Sequence, residues 1–352
     1  MTLASDTLRL QISNVFGGSD LPITAAALAL PANDAAGSAA IQASTHTPLT
    51  FSGAESFLIP AGASIISDPV NFPVESGTIV SVSIYLADGQ SGNEITSHPG
   101  SRTTSWFVHG DHLASEDLEA EGGAGEAHWY FISSIEGLAP SDANALVVVG
   151  DSLADGRGST TDGNDRWPDQ LRVRIEDNAD AGHVAVINQA AGGNRVLADG
   201  LGPNALGRID RDVIAMPGTR YAIICDGIND IGTAATDAAS QEEVGDRLIA
   251  AYSQIVDRLH RFDISVFGGT ITPLLGAGSP YDDPAFEETR QRVNEWIRES
   301  GKFDAVVDFD EAVRDPEDSS KLREEYNEGD HLHMNPKGYK AMAEAVDLAL
   351  LK

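Results

Sequence analysis

Four short stretches of the sequence hold residue types that can attack, polarise and release a carbonyl group. The first is Gly150-Asp151-Ser152. It follows residues 146–149, an apolar and mostly β-branched run that reads as a buried strand. Gly150 ends that strand, and Ser152 arrives at its carboxyl end, where open α/β sheets present their sites. A serine there is placed to act as a nucleophile; read alone, Asp151 and Ser152 could equally cap a strand-to-loop turn. The second stretch is Ala190-Ala191-Gly192-Gly193-Asn194-Arg195, whose adjacent glycines either let a backbone N–H approach a substrate or make a tight turn. The third is Gly227-Ile228-Asn229-Asp230, in which the Asn229 carboxamide can donate to a developing oxyanion or form an Asx-turn.

The fourth stretch is Asp330-His331-Leu332-His333. An Asp three residues ahead of a His can hold that imidazole in one tautomer. The alternatives are a helix-capping Asp with two surface histidines, or a metal site using Asp330, His331 and His333. No second cluster completes a coordination sphere, although His109, Asp111 and His112 are ligand types. Neither a metal nor another cofactor is therefore expected. Together the stretches supply a nucleophile (Ser152), two oxyanion donors (Gly193, Asn229), a base (His333) and its carboxylate (Asp330), which is a set for acyl transfer. Candidates for substrate contact are Asp151, Arg195, Asp230 and Trp167, with Tyr281 as a further pocket-lining candidate. For Arg195 and Asp230 the favoured role is to lock loops to each other, and for Trp167 it is core packing. A Gly-x-Ser-x-Gly elbow and a P-loop are both absent.

The elements that must position these residues begin near residue 145. Strand-like runs at 145–149, 184–188, 221–225, 264–269 and 305–308 alternate with helical patterns at 167–177, 204–215, 241–261, 284–299 and 336–351. Pro168 sits in a first helical turn. Five strands with helical crossovers predict a parallel sheet covered on both faces. Residues 1–140 read differently. Residues 8–13 and 79–85 alternate with period two, and short apolar pieces recur at 25–30, 49–51, 57–59, 106–108 and 129–132. Residues 122–125 read as a flexible acidic loop. A β-sandwich-like domain over 1–140, followed by an α/β domain over 141–352, is the expectation.

Composition narrows the partners. There are 54 acidic and 23 basic residues, for a net charge of −31, and the first of only five lysines is Lys302. Residues 1–140 alone hold 15 acidic and 2 basic residues. Such a surface disfavours nucleic acid and anionic membranes, and it repels itself at low salt. Salt adaptation is one reading, and an ordinary acidic protein the other. No apolar run approaches the roughly 20 residues of a membrane span. The first residues lack a signal-peptide pattern, so the protein stays inside the cell or its leader lies outside this chain. The single cysteine, Cys225, excludes an internal disulfide and reads as a small core residue.

Taken together, Gly150-Asp151-Ser152-Leu153, the Gly193 stretch, Gly227-Ile228-Asn229-Asp230 and the Asp330-to-His333 stretch resemble blocks I, II, III and V of the SGNH (GDSL) hydrolases, over residues 145–352. The likeness is to secreted microbial acylhydrolases with an N-terminal β-domain, and to an arylesterase-like subgroup found beside xylan-degrading enzymes. Trp106-Phe107, His128-Trp129-Tyr130-Phe131 and residues 155–168 are similar to those relatives. The resemblance implies a flavodoxin-like three-layer α/β/α fold. It implies Ser152 as nucleophile, His333 as base with Asp330 behind it, and an oxyanion hole from the N–H groups of Ser152 and Gly193 and the Asn229 side chain. The implied substrates are small carboxylic esters with short acyl chains, among them acetylated carbohydrates and aryl esters.

The chain departs from these relatives in Leu153-Ala154, where Ile-Thr is commoner, in Asp226, where Glu is frequent, and in lacking the leading Trp-rich strands. The resemblance suggests secretion, but the chain has neither a signal-peptide pattern nor an Asn-x-Ser/Thr sequon. Two other functions stay open. One is acyl transfer to an alcohol. The other is carbohydrate binding by Trp106, Trp129 and Tyr130 on a hydrolase scaffold. The oligomeric state is open as well.

Overall fold

In the computed structural model, which describes residues 1–178 and 180–352, the chain forms two units, each with its own apolar core. One comprises Met1–Ser141 with Thr161–Gly163, the other Asp142–Thr160 with Asn164–Lys352.

The first unit is rich in short strands. The alternation read at residues 8–13 becomes β1 (Ser5–Ser13), with Leu8, Leu10 and Ile12 wholly buried. β1 pairs antiparallel with β13 (Ile132–Gly137), β6 (Ser64–Ile66) and β7 (Val70–Val74). A second sheet sets β3 (Ala25–Ala29) between β4 (Thr47–Pro48) and β8 (Ser81–Tyr85). Three two-stranded ladders complete the unit: β2 (Leu21–Ile23) with β5 (Phe57–Ile59), β9 (Ser97–His98) with β12 (Trp129–Tyr130), and β10 (Ser105–Phe107) with β11 (Ala124–Glu126). Leu8, Leu10 and Ile12 of β1 share one core with Ala26 and Leu28 of β3, as expected when the inward residues of two sheets meet.

Two local expectations change. The strand expected at 49–51 lies at β4 instead, while Leu49 and Phe51 are core residues beyond its end. Part of the expected acidic loop is ladder: Trp106 lies opposite Gly125, where a Cβ would press on the Thr104 methyl at 3.1 Å.

The second unit is built on five parallel strands: β14 (Asn144–Gly150), β15 (Val184–Asn188), β16 (Thr219–Cys225), β17 (Ser265–Gly269) and β18 (Ala305–Val307). Their order is β15-β14-β16-β17-β18, so β14 leads from the sheet's interior with the second and third strands on either side. Leu146, Val147, Val148 and Val149 are wholly buried, as a strand covered on both faces requires. The helices fall into two packed groups. One contains α2 (Trp167–Glu176), α7 (Phe309–Val313) and α8 (Pro336–Ala345). The other contains α3 (Ala205–Ile209), α4 (Ile228–Thr233), α5 (Ala238–His260) and α6 (Pro284–Glu299). This is the three-layer α/β/α arrangement.

Short helices follow three strands directly: α1 (Ser152–Asp155) after β14, α4 after β16 and α7 after β18. The helix expected over 204–215 is α3 followed by a π-helical turn, Asp210–Ile214. The last helix stops at Ala345, where Val346 is extended, before a 3-10 turn at Leu348–Leu350. Among the described residues, no helix is long and apolar enough to cross a membrane.

Candidate active site

The carboxyl ends of β15, β14 and β16 lie side by side, and each carries one of the predicted stretches. At the end of β14 a Cβ on Gly150 would stand 2.9 Å from the Cys225 carbonyl oxygen and 3.0 Å from the Ala154 Cβ. Only a glycine lets the strand turn that close to β16 and α1. Asp151 then caps α1 by accepting the Leu153 N–H at 2.9 Å, and Ser152 opens the helix. The helix ends after one turn at Gly156, in the left-handed conformation with φ +98°. Ser152 is thereby held on a tight corner between strand and helix.

Its hydroxyl oxygen lies 2.7 Å from His333 Nε2, and His333 Nδ1 lies 2.7 Å from Asp330 Oδ2. The other Asp330 oxygen accepts the backbone N–H groups of Leu332 (3.0 Å) and His333 (2.8 Å). The aspartate therefore fixes both the ring and the backbone that carries it. Asn327 Oδ1 accepts the N–H groups of Gly329 and His331, and its amide donates to His331 Nδ1 at 3.1 Å. His331, at φ +59°, is thus tied to the turn, while His333 reaches the serine. Among the described residues, no group of three or more His, Cys, Asp or Glu side chains is arranged to hold a metal ion.

The two predicted oxyanion donors lie on the neighbouring strand ends. The Gly192 N–H is taken by Asp155 Oδ2 at 2.8 Å, which separates the roles of the paired glycines. Gly193 follows with φ +73°, a left-handed conformation that favours glycine. Asn229 Nδ2 donates to the Asn194 carbonyl at 2.9 Å, and its Oδ1 accepts the Tyr281 hydroxyl at 2.8 Å. Asp230 accepts the N–H groups of Val196 (2.8 Å) and Leu197 (2.9 Å), clamping the glycine-bearing loop to the start of α4. The Arg195 guanidinium bonds the Asp199 carbonyl within its own loop. Asp230 thus bridges two loops, whereas the Arg195 guanidinium ties only its own.

Two substrate-contact candidates are corrected. Trp167 is 0% exposed and packs on Phe309 with ring centroids 5.1 Å apart, because the first turn of α2 points into the core. Asp151 is 1% exposed, since its carboxylate is turned under the strand end to cap α1.

Arg208 was not singled out by sequence reasoning. It is buried and donates to Asn194 Oδ1 (3.0 and 2.8 Å), to the Gly150 carbonyl (3.3 Å) and to Asp212 (3.0 Å), joining two of the strand ends from below. Its only sequence signal is the i,i+4 spacing to Asp212. Asp155 and Tyr281 are the other site-ordering residues, each acting on a partner far away in the chain.

The electrostatics follow from burial. Desolvation holds the His333 imidazole below its ordinary value, and the charge and hydrogen bond of Asp330 only partly oppose it. Burial pushes Asp330 up, but the hydrogen bonds from His333 outweigh it and leave that carboxyl below the usual range. Beneath the serine, a small pocket is lined by Asp151, Cys225, Asp226, Thr270, Thr272 and Phe309, among others. Asp226 has neither carboxylate oxygen hydrogen-bonded among the described residues. Burial raises it to about 7, although Arg208 draws it down. Burial, with Asp226 nearby, also pushes Asp151 well up.

Comparison with known proteins identifies the family. The profile of the GDSL-like Lipase/Acylhydrolase family matches residues 148–341, more than half of the chain. No curated protein matches the chain significantly. Similar solved structures include a lipase/acylhydrolase from Enterococcus faecalis (16% identity, 57% of this chain and 92% of that one, TM-score 0.44). An acetylxylan esterase from Geobacillus stearothermophilus, solved as a catalytic mutant, shares 20% identity over 59% of this chain and 94% of that one (TM-score 0.43). A carbohydrate acetylesterase from Sinorhizobium meliloti shares 13% identity over 59% of this chain and all of that one (TM-score 0.44). The chain belongs to the GDSL-like lipase/acylhydrolase family and is a carboxylic ester hydrolase.

Proposed function

We propose that residues 141–352 form the catalytic domain, with 1–140 a separate β-domain, and that ester hydrolysis runs through a covalent acyl-serine on Ser152. The observation that carries this reading is the unbroken chain Ser152 Oγ–His333 Nε2 (2.7 Å) and His333 Nδ1–Asp330 Oδ2 (2.7 Å). With Nδ1–H donating to Asp330, Nε2 is free to accept the serine proton. Oγ bonds to the carbonyl carbon as that proton passes to His333, and the carbonyl electrons move onto oxygen. The oxyanion takes hydrogen bonds from the Ser152 and Gly193 N–H groups and from the second amide proton of Asn229. When the tetrahedral adduct collapses, the alkoxide leaves with the proton from His333. Water then attacks the acyl-serine by the same route, releasing the acid and restoring Ser152.

Short acyl chains, on acetylated carbohydrates or small aryl esters, are the substrates we assign. The support is the motif resemblance to the arylesterase-like subgroup and the absence from the sequence of an apolar lid segment suited to a lipid interface. The test is a panel of p-nitrophenyl esters of rising chain length with acetylated oligosaccharides, run on wild type, Ser152→Ala and His333→Ala. Each variant, shown folded by circular dichroism, is expected to lose about 10⁴-fold or more in kcat. A variant retaining a tenth of wild-type kcat would sink the mechanism. Ester product forming when an alcohol is added would move the acceptor from water to alcohol.

A further inference from the structure

We propose that Tyr281 is a positioning residue for the reaction, and that Gly232 is the seat holding its ring so that the hydroxyl sets the Asn229 carboxamide with its amino end toward the oxyanion. The inference rests on the reading of Asn229 as an oxyanion donor. It starts from a problem that any carboxamide poses. Its two ends are nearly the same size, but one donates and the other accepts. Turned half a revolution, Asn229 would offer an oxygen to a developing negative charge and repel it.

The Asn194 carbonyl, which can only accept, decides the sense, and the Tyr281 hydroxyl holds the oxygen end in it. Asn229 Nδ2 donates to the Asn194 carbonyl (2.9 Å), and Asn229 Oδ1 accepts from Tyr281 (2.8 Å). A carboxamide oxygen can only accept, so the phenol must be the donor. Burial raises the Tyr281 hydroxyl above its ordinary value, which keeps the proton in place across the range where His333 works. A turned amide would set carbonyl oxygen against carbonyl oxygen at Asn194, and it would keep Tyr281 only by making the phenol an acceptor.

The ring is fixed as firmly as its hydroxyl. Asn229 and Gly232 are three residues apart in α4 and so share one helix face. A Cβ on Gly232 would lie 2.4–2.5 Å from three carbons of the Tyr281 ring, so the tyrosine lies directly on the bare backbone there. Phe286 meets the ring edge-on with centroids 6.3 Å apart. The Tyr281 N–H donates to Ser279 Oγ (3.2 Å), and Ser279 in turn donates to the Leu274 carbonyl (2.6 Å). One helix face thus carries both the donor to be oriented and the gap through which its orienting residue reaches it. This explains a glycine inside a helix, where it otherwise weakens the element.

The test uses the full chain and a soluble p-nitrophenyl ester, with melting curves to show folding. Tyr281→Phe keeps the ring and removes only the hydroxyl. It is expected to lower kcat about five- to tenfold, the scale of one neutral hydrogen bond, and to leave KM within about twofold. Gly232→Ala should drive the ring off its seat and reproduce that loss, and the double variant should be no worse than the poorer single. In an Asn229→Ala background, Tyr281→Phe should change nothing further, because the group it orients is gone. A merely structural tyrosine, or one touching substrate, would add its own loss to that of Asn229→Ala, and that outcome overturns the proposal. Wild-type kcat in Tyr281→Phe, with Asn229→Ala down by about 10²–10³-fold, also overturns it while the oxyanion reading stands. Wild-type kcat in Asn229→Ala would overturn both. Should Tyr281→Phe not fold, Gly232→Ala alone and combined with Asn229→Ala gives the same decision.

Discussion

Single residues set the protonation window of the site. As the proposed base, His333 must be neutral to accept a proton, and burial holds it below the ordinary imidazole value of 6.5. The acid limb of kcat/KM is therefore expected to have its midpoint below pH 6.5, with full activity retained above it. Asp330 opposes the burial effect, so Asp330→Asn should move the limb lower still while kcat falls about 10⁴-fold. A wild-type midpoint at or above 6.5 in a pH–rate profile would show that the aspartate outweighs burial. At this scale legibility depends on how far apart the partners lie. Asp330 and His333 stand three residues apart, so their pairing can be read directly from the chain. Gly193 and Asn229 could be read because each follows an apolar strand. Tyr281 could not be assigned its role, since its partner is 52 residues away and nothing local to a loop tyrosine marks it as a donor to Asn229. Asp155 and Arg208 were missed for the same reason. Trp167 packs in the core, the role its sequence context favoured over substrate contact.

Whole elements are held by what their ends can bury. β16 leads into Asp226, whose buried carboxylate lines the small pocket; it makes no hydrogen bond of normal geometry among the described residues, and the Gly227 N–H lowers its pKa only weakly. Its proton is held in the folded protein up to about pH 7, against an ordinary 3.8. A carboxyl raised on folding adds stability that is complete below the unfolded value and is lost as pH rises through the folded one. Between pH 4 and pH 8 the wild type should therefore lose melting temperature that Asp226→Asn, neutral throughout, keeps. The variant is expected to melt near wild type at pH 4 and above it at pH 8. A variant that melts lower at pH 8 would mean that Arg208 stabilises the ionised form by more than burial costs. The five parallel strands were legible because strands covered on both faces are written as continuous β-branched runs. The one-turn helices α1, α4 and α7 were not, since a helix of four to six residues has no period to read and is defined by its cap alone. In the first unit, β6 and β7 escaped notice because short antiparallel strands depend on a partner (here β1) more than on their own sequence.

The molecule as a whole carries −31, spread almost evenly along the chain, but its basic residues are not. Residues 1–140 hold Arg9 and Arg102 against 15 acidic groups, whereas the α/β unit pairs many of its arginines, such as Arg298 with Asp308 and Asp310 at 2.7 Å. Raising NaCl from about 0.01 to 1 M shortens the screening length from roughly 30 to 3 Å. The melting temperature is expected to rise over that range, with ester turnover persisting in molar salt. A flat or falling curve would show that the acidic excess is already offset locally, and salt adaptation would have to be abandoned. The contact between Ser152 and His333 also has a consequence in time. It joins residues 181 apart, with both proposed oxyanion donors between them along the chain. A chain whose sheet has formed but whose α8 has not docked beside α2, where Gln170 meets the Pro336 carbonyl at 3.1 Å, holds a serine without its base. Closing so long a loop comes late in assembly. On refolding, the circular dichroism signal should return before turnover does. During synthesis, on the proposed mechanism, the chain stays inert toward esters until His333 and α8 have emerged, so whatever it cleaves in the finished state is spared until then.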